Sequence, residues 1–518
     1  MKNAVKKITV GLCAAALLAG CAKGGNGSKE TIRVNKTGYP VVDEKLEMTM
    51  MGVTNSILGS WEDNLFFKEM EKLTNMSFKF NVSDSETYQE KKNLAFASGE
   101  LPDVFFKSKL SASEVASYGE QGILIPLENL ISEYAPNLSK ILKERPEIKT
   151  AITANDGHIY SLPVISQNMS IVQNCINKSW LDKLGLAEPE TADELYTVLK
   201  AFKERDPNGN GKADEIPLSL IGADGIKSSL FHAFGLIADE NNLRFDDGKV
   251  EFMPMDKNFP DAVRFVKRLY DEGLLDSDTF SQTANQLAAK GVADDEVLGM
   301  FYSSGAFLQV GESRHFDYTS LIPLKTADGN RIYSGWSGIG VGTFAITNVC
   351  KSPEAAVRWV DYLYSEEGGK LVWCGVEGTT YKMNPDGTWD WILKDGEEQN
   401  TVRGKQTIQP GENVPHLNPE EFFYKINNKY EASLKGLRGR VTPYAVQPVP
   451  IMYFSEADLR TVNSIIADVK PYVNEMIASF VVGKKDIDKD MNEFYQTLKN
   501  MRVDELLSIY QKTYDGRK

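Results

Sequence analysis

The sequence predicts an α/β protein folded as two or more lobes. Two observations carry that prediction. Segments with helical spacing of apolar residues alternate with short strand-like runs along most of the chain, and strands separated by helices build open sheets with helices on both faces. The chain is also 518 residues long, too long for one small core. A hydrophobic fraction of 42% with 25% charged residues is that of a soluble globular protein. The formal net charge of −14 argues against a nucleic-acid partner, because phosphate binding needs a basic face. It also disfavours uronic-acid ligands, unless local charge overrules it.

Taken in order, the first element is an export signal. Lys2, Lys6 and Lys7 form a basic region, and Ile8 to Leu18 an apolar run too short for an ordinary membrane-spanning helix. Leu18-Ala19-Gly20-Cys21 follows and matches the lipobox of bacterial lipoproteins. Its small residues fit the signal peptidase, and the Cys21 thiol takes the diacylglyceryl group. Residues 1–21 are therefore expected to be a lipoprotein signal peptide. Residues 22–45, rich at first in Gly, Ser and Lys, are expected to be a flexible tether.

Trp61 to Thr74 places Leu65, Phe66, Met70 and Leu73 on one helical face. Asn81 to Ser85 is polar and reads as loop, and Glu90 to Ser98 as a helix stopped by Gly99. Val104-Phe105-Phe106 is a short buried strand. Ala356 to Glu366 is helical, with Val360, Leu363 and Tyr364 inward. Asp386 to Arg440 is loop-rich, with a little helix around Phe422 to Leu434. Two long helices, Ser455 to Phe480 and Asp486 to Tyr510, close the chain. There is no internal repeat. Beyond Cys13 and Cys21, the cysteines are Cys175, Cys350 and Cys374. An odd number indicates no disulfide framework; a Cys350–Cys374 bridge stays open, and small buried residues are the favoured reading.

Catalytic motifs are missing. There is no Gly-x-Ser-x-Gly elbow, no phosphate-binding Gly-x-x-x-x-Gly-Lys-Ser/Thr loop and no His-Glu-x-x-His. His158, His232, His315 and His416 are scattered. The run Gly335-Trp-Ser-Gly338-Ile-Gly340-Val-Gly342 lacks dinucleotide spacing and leads into the strand-like Thr343 to Ile346. Acidic pairs such as Glu366-Glu367 and Asp294-Asp295 read as solvated faces. A glycosidase carboxylate pair need not be close in sequence, so a lipid-anchored glycan-active enzyme stays an alternative.

The sharpest internal motif is Asp206-Pro-Asn208-Gly-Asn210-Gly211-Lys212-Ala-Asp214-Glu215. Side-chain oxygens fall at loop positions one, three, five and nine, a Gly at six, and a backbone carbonyl at seven (Lys212). This is EF-hand-like spacing for a hard cation such as calcium. Pro217 stands where an EF-hand has its bidentate Glu, and Glu215 is the expected substitute. An Asx-rich turn without metal is the competing reading. Aromatic rings beside loops are candidate sugar platforms, because sugar C–H faces pack on rings. Trp61, with Asn64 nearby, and Trp336, set among glycines, rank first. Trp373 and Tyr381, which flank Glu377-Gly378, come next, with Tyr302 and Tyr333. For any single ring, core packing is the competing explanation.

Together these pieces resemble the extracellular solute-binding proteins of carbohydrate ABC importers, in their branch of large lipoproteins. The similarity runs through Trp61-Glu-Asp-Asn64, Leu94-Ala-Phe-Ala-Ser-Gly-Glu-Leu-Pro102-Asp103, Leu124-Ile-Pro-Leu127 and Tyr134-Ala-Pro-Asn137. It continues through Asp156-Gly-His-Ile-Tyr160-Ser-Leu-Pro163, Trp180-Leu-Asp-Lys-Leu-Gly-Leu186 and Leu269-Tyr-Asp-Glu-Gly-Leu-Leu-Asp276 to Ser352-Pro-Glu-Ala-Ala356 and Gly375-Val-Glu-Gly378. Their order along the chain carries the likeness. The Asp206 loop also looks like the calcium loop of alginate-binding members.

The resemblance implies a two-lobed, periplasmic-binding-protein-like α/β fold with a hinge and C-terminal helices. The first lobe is expected at 46–164 plus 347–395, the second at 165–346 plus 396–518. Ligand is expected between the lobes, with Trp61, Asn64 and Asp103 on one wall, Trp336 and Tyr302 on the other or at the hinge, and Glu377 contributing. The implied function is capture of an oligosaccharide and delivery to ABC permease subunits, by a lipid-anchored monomer on the extracytoplasmic face of the cell membrane. A binding protein for peptides or other small solutes is the runner-up.

Overall fold

In the computed structural model the described residues are 33–55, 58–166, 172–397, 399–410 and 413–516. Cys21, the signal at 1–21 and the first part of the tether lie outside them.

The first sheet starts with β1 (Leu46–Thr54). Met48, Met50, Met51 and Val53 of this strand are all buried. The chain then turns into the helix Leu65–Thr74, which Asn64 caps by accepting from the Phe66 N–H, and returns as β2 (Met76–Asp84), parallel to β1 in register from Leu46/Met76 to Thr54/Asp84. Asn81 to Ser85, expected as loop, is therefore mostly strand. β2 is an edge strand, and its outward polar side chains hid it. After the helix Ser85–Ser98, β3 (Val104–Phe106) pairs with the other side of β1. β4 (Leu162–Ile165) ends the first pass through this lobe.

The second sheet begins at β5 (Gln173–Asn177) and continues with β6 (Ile216–Ser219). A hairpin of β7 (Leu243–Asp246) and β8 (Lys249–Phe252) precedes β9 (Leu298–Ser303) and β10 (Tyr318–Ser320). The spatial order is β10-β5-β9-β6, with β6 parallel to β9 and the other pairs antiparallel. β11 (Tyr333–Ser334) leads out of this lobe, and β12 (Ile339–Ile346) enters the first sheet between β3 and β4, antiparallel to both. The first sheet thus reads β2-β1-β3-β12-β4.

β12 corrects the expected lobe boundary, which placed 165–346 in the second lobe. Phe344, Ala345 and Ile346 are fully buried against β3, so strand pairing and core burial draw 339–346 into the first. Gly342 explains part of the glycine run: it has φ 68°, and a Cβ there would stand 1.9 Å from the Leu110 carbonyl oxygen. Another correction concerns 396–518. Ile408 and Val414 belong to the first lobe's core, and Asn64 donates to the carbonyls of Gly404 and Thr407 at 3.3 and 2.9 Å. The C-terminal helices Glu456–Val481, Ile487–Asn500 and Val503–Asp515 do pack on the second core. The single helix expected over Asp486 to Tyr510 is broken at Arg502, which takes φ 69°.

The expected tether also ends early. Val34 bridges Val42, Val41 and Val42 are fully buried, and Arg358 donates to the carbonyls of Asn35 and Gly38. Residues 33–45 are part of the first lobe's packing rather than a loose linker. A second hairpin, β13 (Tyr381–Met383) with β14 (Trp389–Trp391), packs with Phe422 and Phe423 as a small aromatic unit. β15 (Ala445–Val446) pairs in parallel with β11 beside the crossing segments. Cys175, Cys350 and Cys374 are free thiols, each pushed up to about 12 by burial. No helix among the described residues is long and apolar enough to cross a membrane.

Candidate functional site

Two cavities meet at one side chain. The larger, about 730 Å³, opens among the second lobe's helix Gly222–Leu230, β9 and the crossing segments. The smaller, about 640 Å³, lies between β4, β12 and the end of the helix Glu366–Trp373 on the first lobe and the helix Lys429–Gly439 on the second. Trp336 lines both. It stands on the segment that joins β11 to β12, and it is 41% exposed, unusual for an indole. The ring lies beside Gly340 of β12, where a Cβ would meet the indole at an ordinary contact distance of 3.5 Å but crowd Val164 at 2.7 Å. Both volumes fall within the range of small-molecule sites, roughly 300–1,000 Å³.

The smaller cavity combines rings with fixed polar groups. Trp373 and Phe423 pack at 5.2 Å. The Trp373 Nε1–H donates to His416 Nε2 at 3.1 Å, so the His416 proton sits on Nδ1, which donates to the Val414 carbonyl at 2.8 Å. Burial lowers this imidazole to about 4, and it stays neutral at physiological pH. Opposite, Arg438 donates to the Tyr424 hydroxyl at 3.3 Å and Lys435 pairs with Glu421 at 2.6 Å. Hydrogen-bond donors and acceptors therefore face each other across aromatic surface, the combination that a polyhydroxylated ring requires.

The larger cavity is lined by Tyr302, His232 and charged side chains around the buried Lys227. The His232 Nε2 accepts from the Leu324 N–H at 3.1 Å, and burial pushes this ring down to about 3. Lys227 donates to Asn242 and Asn474 and pairs with Asp224 at 2.9 Å. Burial lowers Lys227 more than these partners raise it. Burial raises Asp224, but the ion pair with Lys227 outweighs it and holds the carboxyl below its ordinary value.

Of the residues singled out in the sequence, Trp336, Tyr302 and Trp373 line the cavities. Trp61, Asn64, Asp103, Glu377, Tyr333 and Tyr381 line neither. Trp61 is fully buried, packed against Phe67, Phe80 and Phe106, although Gly59 and Ser60 beside it are exposed; Gly52 makes room for its ring, since a Cβ there would stand 2.6 Å from the indole. Asn64 is a buried helix cap. Asp103 accepts from the Thr49 N–H and hydroxyl, both at 2.7 Å, and ties β3 to β1. Glu377 is exposed on a turn bridged to Tyr381, outside both cavities. Gln409, His416, Tyr424, Lys435 and Arg438 were missed. They come from a region that read as loop-rich with a little helix, and only the fold brings them beside Trp373.

The Asp206 loop is folded around its own oxygens. Asp206 accepts from the N–H groups of Gly209, Asn210 and Gly211, and Asn210 Oδ1 from Lys212 N–H. The Lys212 ammonium turns away to Asp295 at 2.6 Å. Glu215 is the anomaly. Both its carboxylate oxygens are buried with no hydrogen-bond partner among the described residues. Burial first, then the charges of Asp214 and Asp206, raise its carboxyl above the ordinary value. An orphaned buried carboxylate within reach of two further carboxylates is costly unless something pairs with it. The donor set fits a hard divalent cation, although no cluster of three or more His, Cys, Asp or Glu geometrically able to hold one is formed among the described residues.

Comparison with known proteins gives a consistent result. The sequence profile of the bacterial extracellular solute-binding proteins matches residues 55–370, more than half of the chain. The fructooligosaccharide ABC transporter substrate-binding protein FusA of Streptococcus pneumoniae is 28% identical over 527 residues, covering 96% of each chain. A solved structure of FusA, an EF-hand mutant in complex with fructo-nystose, superposes with a TM-score of 0.71 at 29% identity, covering 90% of this chain and 99% of that one. An HMO-binding, ABC-transporter-associated solute-binding protein from Bifidobacterium longum infantis shares the fold, with a TM-score of 0.77 at 22% identity over 91% of this chain and 99% of that one. These relatives are binding proteins, not enzymes.

Proposed function

Since the chain belongs to the bacterial extracellular solute-binding protein family, we propose that it captures an oligosaccharide in the cleft around Trp336 and delivers it to an ABC importer. The observation that carries this reading is the half-exposed Trp336 ring shared by two adjoining cavities. One ring between two cavities suits a ligand made of repeated units, with one unit stacked and others on either side. The ligand is neutral: Glu420 and Glu421 are matched by Lys435 and Arg438 in the smaller cavity, and a free anionic sugar would find no surplus of positive charge. Fructooligosaccharides are the first class to try, because FusA, similar along the full length, carries that name. Hinge motion at the crossing segments, including the one that carries Trp336, closes the lobes on the sugar.

Cys21 carries the lipid anchor, on the extracytoplasmic face of the cell membrane, and the protein acts as a monomer that meets permease subunits there. Asp206, Asn208, Asn210, Asp214 and Glu215 hold a calcium ion through side-chain oxygens, with the Lys212 carbonyl as a further ligand. The ion is structural, and it lies away from both cavities. A thermal-shift screen of neutral oligosaccharides, including kestose and nystose, against peptides of matched size tests the ligand class. A glycan-only rise in melting temperature is the expected outcome; a peptide-only response contradicts it.

A further inference from the structure

The wall of the smaller cavity is backed by a charged residue that lines neither of the two cavities. Arg403 lies on the helix Gln399–Gln406, held to the first lobe by Asn64 through the Gly404 and Thr407 carbonyls. Its guanidinium sits 4.7 Å over the Trp373 ring, and one of its Nη groups donates to the Gln409 side-chain oxygen. Trp373 and Gln409 both line the cavity. Arg403 therefore fixes a ring and an amide that a ligand would touch.

Across the cleft, Glu431 occupies the first turn of the helix Lys429–Gly439, which also presents Lys435 and Arg438 to the cavity. That helix is fastened to the second lobe through Ser433 and His315 at 2.8 Å. One Glu431 oxygen accepts a long 3.5 Å bond from Gln399 of the first lobe. The other is buried with no hydrogen-bond partner among the described residues, and so is the Arg403 Nε–H. Burial raises the Glu431 carboxyl above its ordinary value, against the Gln399 bond and the charge of Arg403, and Glu312 adds to the rise; the two side chains are thus within electrostatic reach. An orphaned donor on a cation and an orphaned acceptor on an anion thus stand on opposite lobes. Each is costly alone, and pairing them removes both costs.

We propose that Arg403 is a positioning residue that couples ligand seating to lobe closure, pairing with Glu431 as the lobes close while it holds Trp373 and Gln409 against the sugar. This rests on the oligosaccharide reading. A planar fork is needed to stack on the indole, bond Gln409 and still reach Glu431, a combination that lysine cannot reproduce.

The test is a double-mutant cycle on the full chain, with affinity and dissociation rate measured for kestose, nystose or whichever glycan the screen above returns. Arg403→Met and Glu431→Gln should each weaken binding roughly tenfold, mainly through faster dissociation. The double variant should be little worse than either single one, a coupling of roughly fivefold or more. Arg403→Lys should recover part of the coupling to Glu431 but not full affinity. Melting temperatures of the unliganded variants separate this from loss of fold. Binding by Glu431→Gln equal to wild type, or losses that simply multiply in the double variant, overturns the proposal and leaves the sugar reading intact. A wild-type chain that binds no glycan overturns both.

Discussion

At the scale of single residues, Asp239 gives a signed prediction. It lines the larger cavity, and burial pushes its carboxyl up to about 6, against hydrogen bonds from the N–H groups of Asn241 and Leu243 at 2.9 Å. Glu240 adds to the rise and Lys470 opposes it. A carboxyl raised on folding favours the folded state at pH values below its unfolded pKa, near 4, and that contribution is lost as the pH climbs through the folded value. Asp239→Asn keeps the acceptor and removes the titration. Its stability relative to wild type should rise between pH 4 and pH 7 by on the order of 1 kcal/mol, after allowance for solvent screening. Denaturant unfolding at several pH values measures this; a difference independent of pH contradicts it. The sequence could not expose such a residue, since nothing local marks Asp239 as buried. The same holds for the tryptophans. Trp61 and Trp336 both sit beside breaks in pattern, yet one is fully buried in an aromatic core and the other half-exposed between cavities. What separates them is the tertiary position of the break, which spacing does not encode.

At the scale of elements, local chemistry was legible wherever it was contiguous. The helix that ends at Ser98, the strand Val104–Phe106 and the helix Glu456–Val481 fall where periodicity puts them. β2 and the break at Arg502 did not show, because edge pairing and a left-handed residue act against the apparent pattern. The Asp206 loop is the element with most at stake. If it holds calcium, the ion neutralises the unpartnered Glu215 carboxylate. The wild-type chain should then melt several degrees higher in calcium than in chelator, since a ligand at a hundred times its Kd stabilises by about 2.7 kcal/mol. Glu215→Gln should lose most of that gain, and in chelator should be at least as stable as wild type because a buried charge is gone. Differential scanning calorimetry checks both. Indifference of the wild-type chain to calcium contradicts the reading.

At the scale of the molecule, the α/β class and the family were legible from the order of many short motifs, while the partition into lobes was not. β12 is sequentially remote from β3 and β4 yet lies between them, and residues around Ile408 stay in the first lobe's core beyond the point where the chain was expected to leave it. Crossing segments contribute Val172, Gly335, Trp336 and Gln447 to the larger cavity, and these stretches look like loops in the sequence. Trp336 stands on one of those crossings, between β11 and β12. The most direct measurement is calorimetric titration of the wild-type and Trp336→Ala chains with the oligosaccharide that the screen identifies. The account predicts micromolar or tighter binding by the wild type, weakened at least tenfold (about 1.4 kcal/mol or more) in a variant that melts like the wild type. Equal affinities in the two chains would contradict it.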